Sequence, residues 1–416
     1  MAAISPAEAT PGVRDPRPTR TLALCFVAQN CGMGFCFGSF GPLLASTEQQ
    51  FGVSRTVAST GMSLVLLAIG GLSPVIGALL QRRSIRHAMI VGALLSAFGY
   101  WGLALLHSFV PALLMYGLIG TGVCLTAILG PLVLVSRWFE KNRGRALSLV
   151  NLPIMLFVTP YVVARLLPGY GRFAILGTIG SMFLILALLL LLLVDHPTRP
   201  GKAGSTAVLR AASASDTATI LKQPAFWLLS LGIGIMAGAG VAYVVHIVPF
   251  GGESHLSLPA ASALLSVYSG AGIFGTLVFG WVVDRLGPPT ALVISAACQA
   301  VLWWSLLQVT GGALYLLAAL LGVCMVPLTT LHGSALSKLF GPRLVARATG
   351  YSYLIKLPFI FFVAPAIGAL FDKFGGYRTP FLIVALAMVV SAASFYLMRL
   401  SLRRSSRALA NTQVVE

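Results

Sequence analysis

The sequence predicts an all-α membrane protein with twelve transmembrane helices in two six-helix, pseudo-symmetric bundles. Three observations support this fold class: the composition, the length of the apolar segments, and short motifs that recur about 200 positions apart. The chain has 416 residues, of which 57% are hydrophobic and only 9% are charged. A soluble protein of this length carries far more charge, so the composition indicates a membrane protein.

Twelve apolar segments follow one another along the chain, and each approaches the ~20 residues that a helix needs to cross a bilayer. They are continuous rather than alternating, which favours helices over membrane-spanning strands. The twelve segments are 22–44, 57–80, 87–107, 111–135, 145–167, 172–194, 226–249, 260–283, 290–309, 312–336, 348–371 and 377–399.

A polar segment rich in Pro, Gly, Ser, Ala and Thr divides these spans six and six. Its composition is typical of a flexible linker. The predicted organisation is an N-terminal tail, a first bundle, this cytoplasmic linker, a second bundle and a C-terminal tail, at 1–20, 21–194, 195–223, 224–400 and 401–416.

The formal net charge of +18 raises the possibility of a nucleic-acid partner, but the position of the charges excludes it. If both termini are cytoplasmic, 22 of the 28 Lys and Arg residues lie in the tails, the linker and the inner connections. This is the positive-inside distribution, and it makes anionic lipid headgroups the expected partners. The first 20 residues lack the apolar core of a signal peptide. The short loops favour a bacterial inner membrane. The five basic residues of the outer connections are Arg55, Arg165, Arg172, Lys373 and Arg378.

Three pairs of motifs recur at nearly constant offset and indicate an internal duplication. Because six spans separate the copies, both halves keep the same orientation, as in parallel repeats about an axis normal to the membrane. The pairs are 77–82 with 280–287, 122–124 with 322–324, and VNLPIMLFVTP at 150–160 with IKLPFIFFVAP at 355–365.

These features resemble the major facilitator superfamily, whose loop motif is similar to Gly280-x-x-x-Asp284-Arg285-x-Gly287. The first-half copy carries Gln81 where the motif has Asp. Three further stretches resemble the monocarboxylate transporter and oxalate:formate antiporter branch. They are SRWFEKNRGRALSLV at 136–150, ILKQPAFWLLS at 220–230 and HIVPF at 246–250. The resemblance implies the major facilitator fold, a central cavity lined by span eleven, and transport by alternating access.

None of the ten acidic residues lies in the middle of a span, which disfavours a cation transporter or a carboxylate proton relay. Lys356 does lie there, about nine residues into span eleven and roughly 13 Å deep. A charge at that depth costs at least ~2.5–3.5 kcal/mol. Two interpretations follow: a lysine that partly snorkels to the inner headgroups, or an ammonium that binds an anion in the central cavity. The resemblance favours the second, because the oxalate antiporter carries a lysine at the corresponding place.

Several other side chains are candidates for the site. Pro153 and Pro358 each remove a helical hydrogen bond, and are expected either to bend both helices around the cavity or to be simple packing kinks. His246 is either a gating or proton-linked residue or a hydrogen-bonded interfacial histidine. His332 fits a structural role better. Polar and aromatic candidates for contact with a carboxylate are Asn30, Thr126, Asn151, Tyr268, Thr329, Tyr351 and Tyr353.

The branch commonly pairs its lysine with an arginine in span eight, where this sequence has Thr276. A single positive charge favours a singly charged substrate. The prediction is therefore a monomeric secondary transporter that binds a small organic monocarboxylate near the midplane. Removal of an amine from water favours its neutral form, so a bound anion and a proton would travel together. Exchange against a counter-anion remains an alternative.

Other function classes are less well supported. An exporter of a larger hydrophobic or amphiphilic compound is the rival within transport. A nutrient receptor on a transporter-like fold normally needs a long cytoplasmic domain. An enzyme is disfavoured, because the sequence has no clustered nucleophile and base. The six cysteines show no metal-ligand or disulfide spacing, so no metal and no cofactor is predicted.

Overall fold

The computed structural model describes residues 17–139, 143–195 and 214–413, and these ranges contain helices and turns but no strand. The predicted all-α fold is confirmed. The helices are α1 (Arg17–Phe51), α2 (Arg55–Arg82), α3 (Ile85–Leu105), α4 (Phe109–Val123), a π-helical segment (Cys124–Leu129), α5 (Gly130–Trp138), α6 (Arg143–Val150), α7 (Ile154–Leu190), α8 (Ala214–Leu221), α9 (Pro224–Glu253), α10 (Leu258–Leu286), α11 (Pro288–Leu306), α12 (Ala313–Met325), α13 (Leu328–Phe374) and α14 (Arg378–Gln413).

Eleven helical segments within the described ranges are long and apolar enough to cross a membrane. One of them, Arg145–Leu190, contains two of the predicted spans. Gly171 interrupts it with φ 73° and ψ 169°, a backbone conformation that favours glycine. Gly341 interrupts α13 in the same way, with φ 63°. The twelve predicted spans are therefore all present. Two of the breaks between successive spans consist of one glycine each, Gly171 and Gly341.

The helices extend beyond the predicted segment boundaries. The first begins at Arg17 and the last continues to Gln413, well into the predicted tails. The last part of the predicted linker forms the short helix α8 (Ala214–Leu221), while 196–213 lie outside the described residues. Hydrophobicity marks where a span leaves the bilayer, whereas the helix itself continues as long as the residues tolerate it.

Two apolar cores organise the molecule, one for each half. The first is built mainly from residues of α1 to α7, together with Val245 of α9 and Ala364 of α13, and the second from residues of α8 to α14. Close helix crossings within each half need residues without a side chain. A Cβ on Gly122 would lie 2.4 Å from the Gly92 carbonyl oxygen, and one on Gly322 would lie 2.1 Å from that of Tyr268. These two glycines serve different crossings, α4 with α3 and α12 with α10. The crossing of α4 with α2 that corresponds to α12 with α10 instead has Gly120, where a Cβ would lie 2.5 Å from the Val65 carbonyl oxygen.

The repeated proline motif does not bend the two halves in the same way. Residues 151–153 lie outside the helices, so the chain is interrupted between α6 and α7. Pro358 instead lies inside α13, where only Gly341 departs from helical geometry. The expectation of matching bends at Pro153 and Pro358 therefore differs from the structure. A proline removes one hydrogen bond, but the surrounding packing decides whether the helix breaks.

Candidate functional site

The two halves meet mainly along three pairs of helices, α1 with α9, α2 with α13, and α7 with α10, with a smaller contact between α1 and α10. Substrate sites in transporters built from repeats lie at such an interface, near the middle of the bilayer. The geometry of this interface therefore determines where a substrate can bind and from which side it can enter.

Hydrogen bonds close the outer end of the interface. The backbone N–H and hydroxyl of Thr56 both donate to Asp372 Oδ2, at 3.0 and 2.5 Å. Arg55 Nη1 donates to Tyr377 Oη at 3.2 Å. Arg55 also forms a two-point ion pair with Glu48, at 2.7 and 3.1 Å, a geometry that holds the guanidinium in place. We call these five residues, Glu48, Arg55, Thr56, Asp372 and Tyr377, the outer latch.

Contact between α2 and α13 loosens toward the cytoplasm. At the outer end a Cβ on Gly368 would lie 2.8 Å from Thr56 Cα, so the two backbones touch. Further inward, a Cβ on Gly70 would lie 3.0 Å from Leu357 Cδ1. Beyond that level, Gly77 and Gly350 face open space. The contact between the two helices is thus closest at the end that the charge distribution predicts to be outer, and looser toward the end predicted to be cytoplasmic.

Lys356 lies on the face of α13 that meets the first half. Residues three or four apart share a helix face, and the next two positions of this row are Ile360 and Ala364. Ile360 packs against the first core and Ala364 is a buried member of it. Lys356 is half-buried, and its Nζ lies 3.6 Å from the ring centroid of Tyr353, in cation–π geometry. No ion pair joins Lys356 to an Asp or Glu within the described ranges.

A buried polar row lies beside Lys356. His332 is 3% exposed, and its Nε2 lies 2.9 Å from Ser352 Oγ. Ser230 Oγ donates to the same hydroxyl at 3.0 Å, and the His332 and Tyr353 ring centroids are 5.8 Å apart. The break at Gly341 folds α13 back on itself and so brings His332 next to the lysine. The sequence analysis did not group these residues, because 24 positions separate His332 from Lys356.

Two of the predicted ligands have other partners. Asn30 Oδ1 accepts from the backbone N–H of Met155 at 3.0 Å, which stabilises the start of α7 after the Pro153 break. Thr126 is fully buried and donates to Met89 O at 2.7 Å, between the π-helical segment and α3. Both side chains satisfy backbone groups, which is the usual role of buried polar residues in helices.

Among the other predicted ligands, Tyr353 contacts Lys356, and three have contacts elsewhere. Tyr268 stacks on Tyr243 in the second core, with centroids 4.4 Å apart. The Tyr351 hydroxyl lies 3.2 Å from Thr217 Oγ1 and so connects α13 to α8. Asn151 is exposed and donates to Leu147 O, and Thr329 is exposed at the start of α13.

His246 is fully buried, and both of its ring nitrogens have partners. Nε2 lies 2.9 Å from Ala364 O, and Nδ1 lies 3.0 Å from Tyr377 Oη. A carbonyl only accepts hydrogen bonds, so Nε2 carries the proton and Nδ1 accepts from the tyrosine. A directed chain results, from Arg55 through Tyr377 and His246 to Ala364. His246 therefore holds the Tyr377 hydroxyl of the outer latch in position from the buried side, and is not itself exposed at the outer end.

The loop motif lies at the cytoplasmic end of α10. Asp284 and Arg285 are exposed, and the Arg285 guanidinium lies 5.6 Å from the Trp281 ring centroid. Gly287 has φ 81°, which only glycine adopts without strain, and it makes the turn between α10 and α11. Gly280 faces open space. Thr276, at the position of the missing arginine, donates to the Gly272 carbonyl of its own helix.

Known proteins resemble this chain at low identity but over most of its length. MFS-type transporter 1 of Ophiocordyceps sp. is 26% identical over 392 residues, which cover 91% of this chain and 84% of that protein. The fujikurins efflux protein of Gibberella fujikuroi is 25% identical over 58% of this chain. That match spans only 50% of the efflux protein's length.

A solved structure shares the fold. The bacterial homolog of the human lysosomal transporter Spinster, in an inward-facing and unoccupied conformation, superposes with a TM-score of 0.76 at 14% identity. The superposition covers 93% of this chain and 98% of that one. The sequence profile of the Major Facilitator Superfamily matches residues 26–356 and also 236–414. The repeated halves, the helical fold and this match together show that the chain belongs to the Major Facilitator Superfamily, a family of transporters rather than enzymes.

Proposed function

We propose that this protein is a secondary transporter of a small organic anion, most simply a monocarboxylate, that binds at Lys356 and crosses the membrane by alternating access. One observation carries the proposal. Lys356 lies on the face of α13 that meets the first half, below a closed outer latch, without a carboxylate partner among the described residues. The expected membrane is a plasma membrane, with both termini in the cytoplasm.

Charge compensation is the physical reason for an anionic substrate. An ammonium near the middle of the bilayer costs at least ~2.5–3.5 kcal/mol, and a carboxylate that forms a charge-assisted hydrogen bond offsets that cost. The Tyr353 ring covers one side of the amine. Span eight supplies Thr276 instead of a second cation, so the site has one positive charge for one negative charge.

Proton coupling follows from the same lysine. Outside water the neutral amine is favoured, and a bound anion favours the ammonium. A proton would then bind with the substrate and leave with it, and no membrane-embedded carboxylate would be needed. Exchange against an internal counter-anion uses the same site without a net proton movement.

Uptake of radiolabelled monocarboxylates into proteoliposomes tests the proposal. With acid outside, Lys356→Ala should lower uptake at least about tenfold, because the substrate loses its charge partner. Lys356→Arg should retain part of it. The matched control is Lys373→Ala, on the same helix but exposed at its outer end, where the amine lies 5.4 Å from the Phe374 ring. Undiminished uptake by Lys356→Ala, with normal folding, would refute the proposed site.

Export of a larger amphiphilic compound is the second candidate. The fujikurins efflux protein, by its name an exporter, is among the similar proteins. Competition separates the two functions: lactate-sized acids should displace bound substrate at a monocarboxylate site. Displacement only by large amphiphilic compounds would favour the exporter.

A further inference from the structure

A second buried cation, Arg172, lies in the first half. Arg172 begins the arm of α7 that follows the Gly171 break, and the sequence alone placed it among the exposed outer charges. The structure instead turns its side chain into the bundle, where it is 9% exposed. Its Nη1 donates to Leu103 O at 2.8 Å, and its guanidinium lies 5.1 Å from the Phe51 ring centroid.

The rest of the guanidinium is unsatisfied. Arg172 Nε and Nη2 are buried and have no hydrogen-bond partner. No ion pair joins Arg172 to a carboxylate in the described part of the chain, and Glu48, the acid on the neighbouring α1, pairs with Arg55. An arginine does not lose its proton in a protein. A buried positive charge without a counter-charge is strongly destabilising, so something is expected to compensate it.

A cavity adjoins this guanidinium. Its volume is about 20 Å³, and its polar lining consists of Arg172, Tyr100, Tyr116, Ser39 and Thr47 with Cys36. The hydroxyls of Ser39 and Thr47 donate to backbone carbonyls, at 2.5 and 2.9 Å. The free donors therefore come from Arg172, together with the nearby Tyr116 hydroxyl, which can rotate toward the cavity.

We infer that this cavity binds a monatomic anion, a halide such as chloride. About 10–15 Å³ of such space holds one water, so the cavity suits a monatomic anion better than a larger polyatomic one. A water molecule would satisfy hydrogen bonds but would leave the net charge uncompensated in an apolar bundle. A halide accepts from the two unsatisfied guanidinium nitrogens and neutralises the charge. The site stabilises the outer end of the first half and is separate from Lys356.

Halide-dependent stability of the purified wild-type protein tests this inference. At constant ionic strength, Tm should rise saturably when chloride or bromide replaces gluconate, because a ligand of the folded state stabilises it. Radioactive chloride should bind saturably, at one site per chain. A Tm that is the same in chloride, bromide and gluconate, or the absence of saturable binding, would show that the cavity holds only water.

Variants locate the site. Arg172→Gln should abolish the halide dependence of Tm, whereas Arg165→Gln, an exposed arginine on the same helix, should retain it in full. If Arg172→Gln does not fold, Tyr116→Phe provides the second test. It removes one hydroxyl donor and should weaken chloride binding about tenfold. Wild-type halide dependence in either the Arg172→Gln or the Tyr116→Phe protein would overturn the assignment.

Discussion

The outer latch makes a specific prediction for Tyr377→Phe. The hydroxyl accepts from Arg55 Nη1 at 3.2 Å and donates to His246 Nδ1 at a distance of 3.0 Å. The bond to Arg55 joins the two halves, whereas the bond to His246 lies within the second half. Separation of the halves at the outer end therefore breaks the first bond and leaves the second intact. Only the first bond favours the outward-closed state.

A hydrogen bond to a charged group contributes about 1.5–3 kcal/mol. The Arg55 and Glu48 side chains are 14% and 20% exposed, so water competes only partly for this interaction. Its loss should shift the equilibrium toward the outward-open state by about tenfold or more. The bond to His246 should instead affect global stability, because its loss leaves a buried ring nitrogen unsatisfied in both states.

Distances between spin labels at the outer surface measure this shift. Labels at Gln50 of α1 and Arg378 of α14, both exposed, report the separation of the two halves. Tyr377→Phe should increase the population at long distance. Tyr315→Phe is the matched control, because its hydroxyl donates to Ala260 O at 2.9 Å within the second half. Equal distance distributions for wild-type and Tyr377→Phe proteins would contradict the role assigned to the latch.

Two further predictions concern the scaffold. Asn30→Ala removes the acceptor for the Met155 N–H at the start of α7, so the free energy of unfolding should fall by about 1–2 kcal/mol. Thermal unfolding measures this, and an unchanged Tm would show that water replaces the amide. Gly322→Ala places a Cβ 2.1 Å from the Tyr268 carbonyl oxygen, and the resulting overpacking should cost about 1–3 kcal/mol. Gly240→Ala, where a Cβ meets nothing within 4 Å, should not lower Tm, because alanine is the better helix former.

Hydrophobicity was sufficient to predict the spans, because a bilayer imposes nearly the same length on every helix. The recurring motifs were visible in the sequence, but their contacts were not: Gly122 and Gly322 both serve close crossings that exclude a Cβ, yet the first packs on α3 and the second on α10. The difference between the two proline motifs was not predictable, because the packing around a proline decides whether the helix breaks there. At Pro153, Asn30 is available to accept the freed backbone N–H.

The candidate site was only partly predictable. A charge in an apolar segment is visible in the sequence, and it identified Lys356. The contacts of the polar candidates were not predictable, because a buried Asn or Thr takes the nearest backbone partner, and that partner is set by packing; their role as ligands stays a prediction. The latch pair Thr56 and Asp372 lies 316 positions apart, so only the fold brings the two residues together. The burial of Arg172 was not predictable either, because a turn at one glycine does not show which way the next side chain points.

One row of α13 connects the substrate position to the latch. Lys356, Ile360, Ala364, Gly368 and Asp372 follow at intervals of four residues, and such positions form a continuous ridge on a helix. The ridge is about 24 Å long at ~1.5 Å per residue. It faces the first half at both Ala364 and Gly368, and ends at the carboxylate that binds Thr56. Because the helix is continuous between these residues, a tilt of α13 that follows neutralisation of Lys356 also moves Asp372 away from or toward α2. If substrate binds at Lys356 as proposed, this single ridge would link binding mechanically to the outer latch, without a chain of intermediate side chains.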